Sequence, residues 1–140
     1  MRKQLAILTG IALLAVVGVG YAHHPFAAEY DWTKPVTFTG TVTKLNWMNP
    51  HVSLQVDAKD DSGEMKHWTL EMGSLAALTR AGWTKNTVKM GDTVTVEGWL
   101  SRSDKNKANV KSVKLANGKE LSGASSIGEI KPESNKPVSN

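Results

Sequence analysis

Between Val36 and Thr43 the chain alternates without a break. Val36, Phe38, Gly40 and Val42 fall on one side, and Thr37, Thr39, Thr41 and Thr43 on the other. A helix would scatter these residues around its circumference, whereas a repeat of two rich in β-branched residues specifies a strand with one buried face. Everything downstream has to provide that strand with partners. The apolar parity switches by Leu45 and Trp47, which predicts a bulge between Gly40 and Lys44. After the Asn49-Pro50 turn signal, Val52, Leu54 and Val56 alternate with His51, Ser53, Gln55 and Asp57 in a second strand. Asp60-Asp61-Ser62-Gly63 turns into a third strand, about Glu64 to Met72. Trp68, Leu70 and Met72 face inward there, and His67, Thr69 and Glu71 outward.

Ser74 caps a short helix over Leu75 to Arg80, and Gly82 stops it. A fourth strand runs from Thr93 to Leu100. A charged loop, Ser101 to Asn109, leads to a last strand around Val110 to Leu115. Three strands, a helix and two strands form the element order β-β-β-α-β-β. This predicts an all-β fold with one short helix, an OB-like five-stranded barrel spanning residues 36–121. A small β-sandwich is the alternative the same strands allow. Residues 122–140 hold five Ser and few apolar groups and read as a disordered tail.

The other end of the chain reads as an export leader. Arg2 and Lys3 precede an uncharged, mostly apolar run from Leu5 to Val19, and Gly20-Tyr21-Ala22 offers small residues for cleavage. The expectation is a signal peptide over residues 1–22, an N-terminal arm over 23–35, and a periplasmic or secreted domain with no stable membrane insertion once the leader is gone. Without Arg2 and Lys3, 15 Lys and Arg stand against 13 Asp and Glu, so the working protein is only weakly basic. Lys105, Lys107, Lys111, Lys114 and Lys119 read as a solvated strand that protects a sheet edge. Nucleic acid is therefore not an expected partner. The absence of cysteine rules out disulfides, thiolate metal sites and thiol nucleophiles.

Cleavage after Ala22 creates a terminus that begins His23-His24-Pro25-Phe26. A free α-amine and the imidazole Nδ1 of the same residue chelate a single ion, and Cu(II) is the divalent ion that tetragonal nitrogen sites favour most. Pro25 has no N–H, which closes chelation through a third-position amide. If the inward residues of strands two and three face one another, Val52 meets Leu70, Leu54 meets Trp68 and Val56 meets Lys66. On the outer face His51 then meets Glu71, Ser53 meets Thr69, and Gln55 meets His67. His51 and Glu71 would stand about 5 Å apart at Cβ, as a ligand pair or as a histidine oriented by a carboxylate. His67 is peripheral on this reading. Trp32 and Trp47, where arm meets barrel, offer a stacking platform for sugars or apolar ligands. Trp68 reads as core, Trp83 as the cover of the helix end. No Gly-rich phosphate loop, HExxH, GxSxG or paired-carboxylate motif is present, so the chain does not read as an enzyme.

Several segments carry a resemblance. They are His23-His24-Pro25-Phe26-Ala27-Ala28-Glu29-Tyr30-Asp31, Asn49-Pro50-His51, Glu71-Met72-Gly73-Ser74, Gly82-Trp83 and Gly91-Asp92-Thr93-Val94-Thr95-Val96-Glu97-Gly98. Over about residues 20–122 the chain resembles an uncharacterised family of small exported proteins of Gram-negative bacteria, known only as a domain of unknown function. The resemblance implies that His23, His24, His51 and Glu71 are family features; Pro25 stands where the family pattern has Ser. It implies no activity. The expected function is binding of Cu(II) or Zn(II) by the processed terminus together with His51 and Glu71. A module for an organic ligand or glycan, and a structural subunit of an envelope assembly, are the alternatives. Nothing in the sequence identifies a protein partner.

Overall fold

The computed structural model describes residues 26–126. The leader, His23, His24 and most of the Ser-rich tail lie outside that range. The described chain is all-β, with six strands and two short helices: α1 (Phe26–Glu29), β1 (Tyr30–Asn46), β2 (Ser53–Lys59), β3 (Met65–Glu71), α2 (Leu75–Arg80), β4 (Thr93–Ser101), β5 (Lys107–Leu115) and β6 (Glu120–Ser122). Neighbouring strands pair antiparallel in the order β3-β2-β1-β4-β5-β6, and a parallel pairing joins β3 to β5. Followed from β1 through β2, β3, β5 and β4, the pairings return to β1. No helix among the described residues is long and apolar enough to cross a membrane.

The alternation that sets β2 survives intact: Val52, Leu54 and Val56 are fully buried. They join Leu70, Val96, Val110 and Val113 in one core. Complete burial of such a side chain stabilises by about 1.5–3 kcal/mol. The expected bulge in β1 is present, with the register shifting between Val42 and Lys44. Trp68 is only half-buried and stacks on Phe38, with ring centroids 4.4 Å apart.

Three expectations about extent fail, each because a long-range contact overrides the local pattern. β1 starts at Tyr30, six residues before Val36, since Tyr30 pairs with Ser101 across an irregularity that resumes at Pro35. β5 starts at Lys107, since Lys107, Ala108 and Asn109 pair in parallel with Thr69, Leu70 and Glu71. β6 was not expected. It places Ser122 in the sheet, and beyond it Gly123 is buried, donates to Lys111 O and accepts from Gly73 N, so the chain stays tied to the domain through Gly123.

The β2–β3 register also differs from expectation, by two residues. Ser53, not His51, faces Glu71; Leu54 faces Leu70, Val56 faces Trp68, and Asp57, not Gln55, faces His67. The hairpin loop explains the shift. Asp60 N–H donates to Glu64 O, so these two residues close a three-residue loop, Asp61-Ser62-Gly63. Asp60 Oδ1 accepts from Ser62 N, Ser62 Oγ and Glu64 N. Gly63 supplies the left-handed residue that such a loop needs, at φ 84°. A shift of two keeps every side chain on its face, which is why the burial pattern was foreseen although the partners were not. Gly63→Ala should cost about 1 kcal/mol in urea denaturation, since only the left-handed backbone is penalised and no atom lies near the added methyl. An unchanged midpoint would show that the loop does not hold the register.

Candidate functional site

Outward parity on β3 puts Glu71 on the surface of the sheet between two neighbours, Ser53 on β2 and Asn109 on β5. His51 precedes β2, but the ladder continues past the strand: Met72 N donates to Val52 O at 2.8 Å and Val52 N to Gly73 O at 3.0 Å. The loop before it is tied to α2, whose Leu75 N–H donates to Asn49 Oδ1. His51 thus comes alongside Glu71 diagonally, and its Nδ1 lies 3.4 Å from Glu71 Oε1. This is an ion-pair separation, longer than a short charge-assisted bond. The imidazole is half-exposed and its Nε2 is not engaged by this contact. The structure therefore brings the expected pair together, though across the sheet diagonal.

The other carboxylate oxygen is approached by Tyr30, which the sequence puts in the arm, and by Lys107, which it puts in a solvated edge strand although β5 is paired on both sides. Tyr30 is almost fully buried, and its hydroxyl donates to Glu71 Oε2 at 2.9 Å. Burial, then the charge of Glu71 and its hydrogen bond, push the phenol pKa far up, so Tyr30 stays a protonated donor. Lys107 Nζ lies 4.0 Å from the same oxygen, 3.6 Å from Glu29 Oε1 and 5.5 Å from the centre of the Tyr30 ring. A signal for Lys107 was available, since Ala108 and Val110 alternate with Lys107 and Lys111 at period two and so place these lysines outward. Nothing local pointed to Tyr30. Asn109, beside Glu71, is buried with no hydrogen-bond partner for Oδ1.

The arm enters this cluster. Phe26 is buried, with its ring centroid 5.3 Å from that of Tyr30 and 5.8 Å, edge-on, from that of Trp99. Arg102 fastens the same segment: its Nε donates to Ala27 O at 2.8 Å and its backbone N–H to Glu29 O at 2.9 Å. Arg102 also reaches Asp31 at 3.4 Å. The Asp31 carboxyl is held below its usual range by the Thr33 hydroxyl and amide, with Arg102 adding to the effect.

Among the described residues, no group of three His, Asp or Glu is arranged to hold a metal ion. His51 and Glu71 supply two of the four residues expected at the site, and His23 and His24 lie outside the described residues. His67 pairs with Asp57 at 2.6 Å as a separate, exposed contact. Of the proposed stacking pair, Trp32 is exposed whereas Trp47 packs against the core.

Over residues 12–110 the chain matches a family whose description is a family of unknown function (DUF6152). Comparison with curated proteins returned no match.

Proposed function

For a chain that belongs to this family of unknown function, DUF6152, we propose binding rather than catalysis, with Cu(II) or Zn(II) as the ligand. In this reading the protein is exported, leader cleavage frees the His23 amine, and the amine with the imidazole of His23 or His24 chelates the ion. His51 completes the set. The observation that carries the reading is the 3.4 Å contact between His51 Nδ1 and Glu71 Oε1. A carboxylate on one ring nitrogen fixes the tautomer and turns the other, Nε2, into the donor atom, as in histidine sites with an orienting carboxylate. Glu71 is engaged by Tyr30 and Lys107 on its second oxygen, which suits it to orienting more than to ligating. The arm adds support: Phe26, two residues after His24 in the sequence, docks on Tyr30, the residue that bonds Glu71.

The domain reads as OB-like on the strength of its pairing circuit, and as periplasmic or secreted on the strength of its leader. An organic ligand has less support, because Trp47 is committed to the core.

The test is a Cu(II) titration followed by EPR on protein carrying the authentic His23 terminus, beside a twin with one Met added before it. The first should bind stoichiometrically with a nitrogen-rich tetragonal signal, and the twin should lose that signal. His51→Ala should weaken binding by about tenfold or more. Equal binding by both termini, or full affinity in His51→Ala, would remove the proposed site.

A further inference from the structure

The turn between β5 and β6 carries a reactive pair of residues on the surface. Asn117 is the one asparagine of the chain that glycine follows, and both Asn117 and Gly118 are exposed. Leu115 N–H donates to Lys119 O at 2.8 Å and Gly118 N–H to Leu115 O at 2.9 Å, with Gly118 at φ 86°. These bonds close a three-residue loop that ends in a left-handed residue. Inside it, Lys119 N–H donates to Asn117 Oδ1 at 2.9 Å. Such a site favours attack by a backbone nitrogen on the side-chain amide. Gly118 has no side chain to crowd its nitrogen, and nothing lies near its Cα on the side where a Cβ would stand. The Lys119 N–H sits on the oxygen where negative charge would develop. One condition is missing in the closed turn. The Gly118 N–H is committed to Leu115 O, so its nitrogen cannot turn onto Asn117 Cγ until that bond opens.

We propose that Asn117 is a site of deamidation, with water as the co-substrate, and that the closed β5–β6 turn gates it. Gly118 N attacks Asn117 Cγ, the Cγ–Nδ2 bond breaks, and ammonia leaves with the proton of the Gly118 amide. Water then opens the cyclic imide. Cleavage at Cγ leaves aspartate; cleavage at the main-chain carbonyl leaves isoaspartate, whose backbone runs through Cβ and Cγ. One water enters, one ammonia leaves, and nothing is oxidised or reduced. Isoaspartate has the larger consequence, because it adds a backbone atom to the loop that sets the β5–β6 register. In that register Val113 faces Leu121 and Ser112 faces Ser122. Leu121 is buried, and Ser122 O accepts the Trp83 indole N–H, so a reaction at an exposed turn loosens the last strand from the core.

The experiment follows deamidation in mildly alkaline buffer in the folded protein, in the same protein in urea, and in a free peptide of residues 112–122. Trypsin, cutting after Lys114 and Lys119, isolates residues 115–119 for mass spectrometry. The folded protein should convert Asn117 at about one-tenth of the peptide's rate, and urea should restore the peptide's rate. Asn106 and Asn109, followed by Lys107 and Val110, should stay intact over the same interval. Equal rates in the folded protein and the peptide would overturn the gate. A folded protein still unmodified long after the peptide has reacted to completion would overturn the site. The isoaspartate fraction, once separated, should melt below the parent, whereas Asn117→Asp changes the charge, keeps the backbone and should melt with the parent. An isoaspartate fraction as stable as Asn117→Asp would show that the turn does not hold β6 in place.

Discussion

Trp83→Ala should lower the stability of the domain by about 4 kcal/mol, seen as a lower urea midpoint and a melting temperature down by roughly 15–30 °C. The size of the effect comes from one side chain serving the core, the end of α2 and strand β6. Helix α2 has six residues, too few to persist without tertiary support. It ends in a motif that only its surroundings stabilise: Gly82 N–H donates to Thr79 O and Trp83 N–H to Leu78 O, with Gly82 at φ 92°. Leu78 and Trp83, the two apolar residues that clasp this end, are both buried in the core. From there the Trp83 indole N–H reaches Ser122 O at 2.8 Å and ties β6 to the helix. Alanine would leave a cavity, an unpaired carbonyl on β6 and a helix end without its clasp. Trp83→Phe keeps most of the apolar contact and loses the N–H, so it should cost about 1–2 kcal/mol. An Ala variant within about 1 kcal/mol of the parent would mean that the core closes over the gap.

The helix shows how far local signals reach. Ser74 and Gly82 mark both of its ends in the sequence, and Ser74 Oγ does accept from Ala77 N. Capping is a short-range interaction, so its residue types are legible in place. The same holds for the buried face of β2, set by period two alone. By contrast, the start of β5 depends on β3, about forty residues earlier, and Lys107 to Asn109 have no pattern that announces a parallel partner. The sequence puts Tyr30 in an arm for the same reason: what recruits it to the sheet is Ser101 and Glu71. At the candidate site, His51 and Glu71 were paired correctly for a partly wrong reason. The hairpin is displaced by two residues, and the contact survives only because long side chains bridge a diagonal on one face. Diagonal reach is forgiving of register, whereas the identity of the second neighbour is not, and Lys107 and Tyr30 were missed there.

Phe26→Ala should separate the arm from the domain without unfolding it. Phe26 is the main apolar anchor of α1, a helix of four residues, and its ring is held between Tyr30 and Trp99. The removed contacts join the arm to the domain and do not belong to the central core, so the cost falls mainly on local opening. Arg102 retains its bonds to Ala27 O and Glu29 O, yet these are exposed and compete with water. Chymotrypsin should then cut after Tyr30 or Trp32 at least about tenfold faster than in the parent, while the urea midpoint of the remaining domain moves little. On the metal reading, releasing Phe26 lengthens the free tether between the terminus and His51. Cu(II) affinity should fall by about tenfold toward that of the terminus alone, because a tethered ligand contributes through its effective concentration. The decisive comparison is the double variant. In the Phe26→Ala background, His51→Ala should cost almost nothing further, since the contact it removes has already been lost. A full second loss would mean that His51 meets the ion without help from the docked arm.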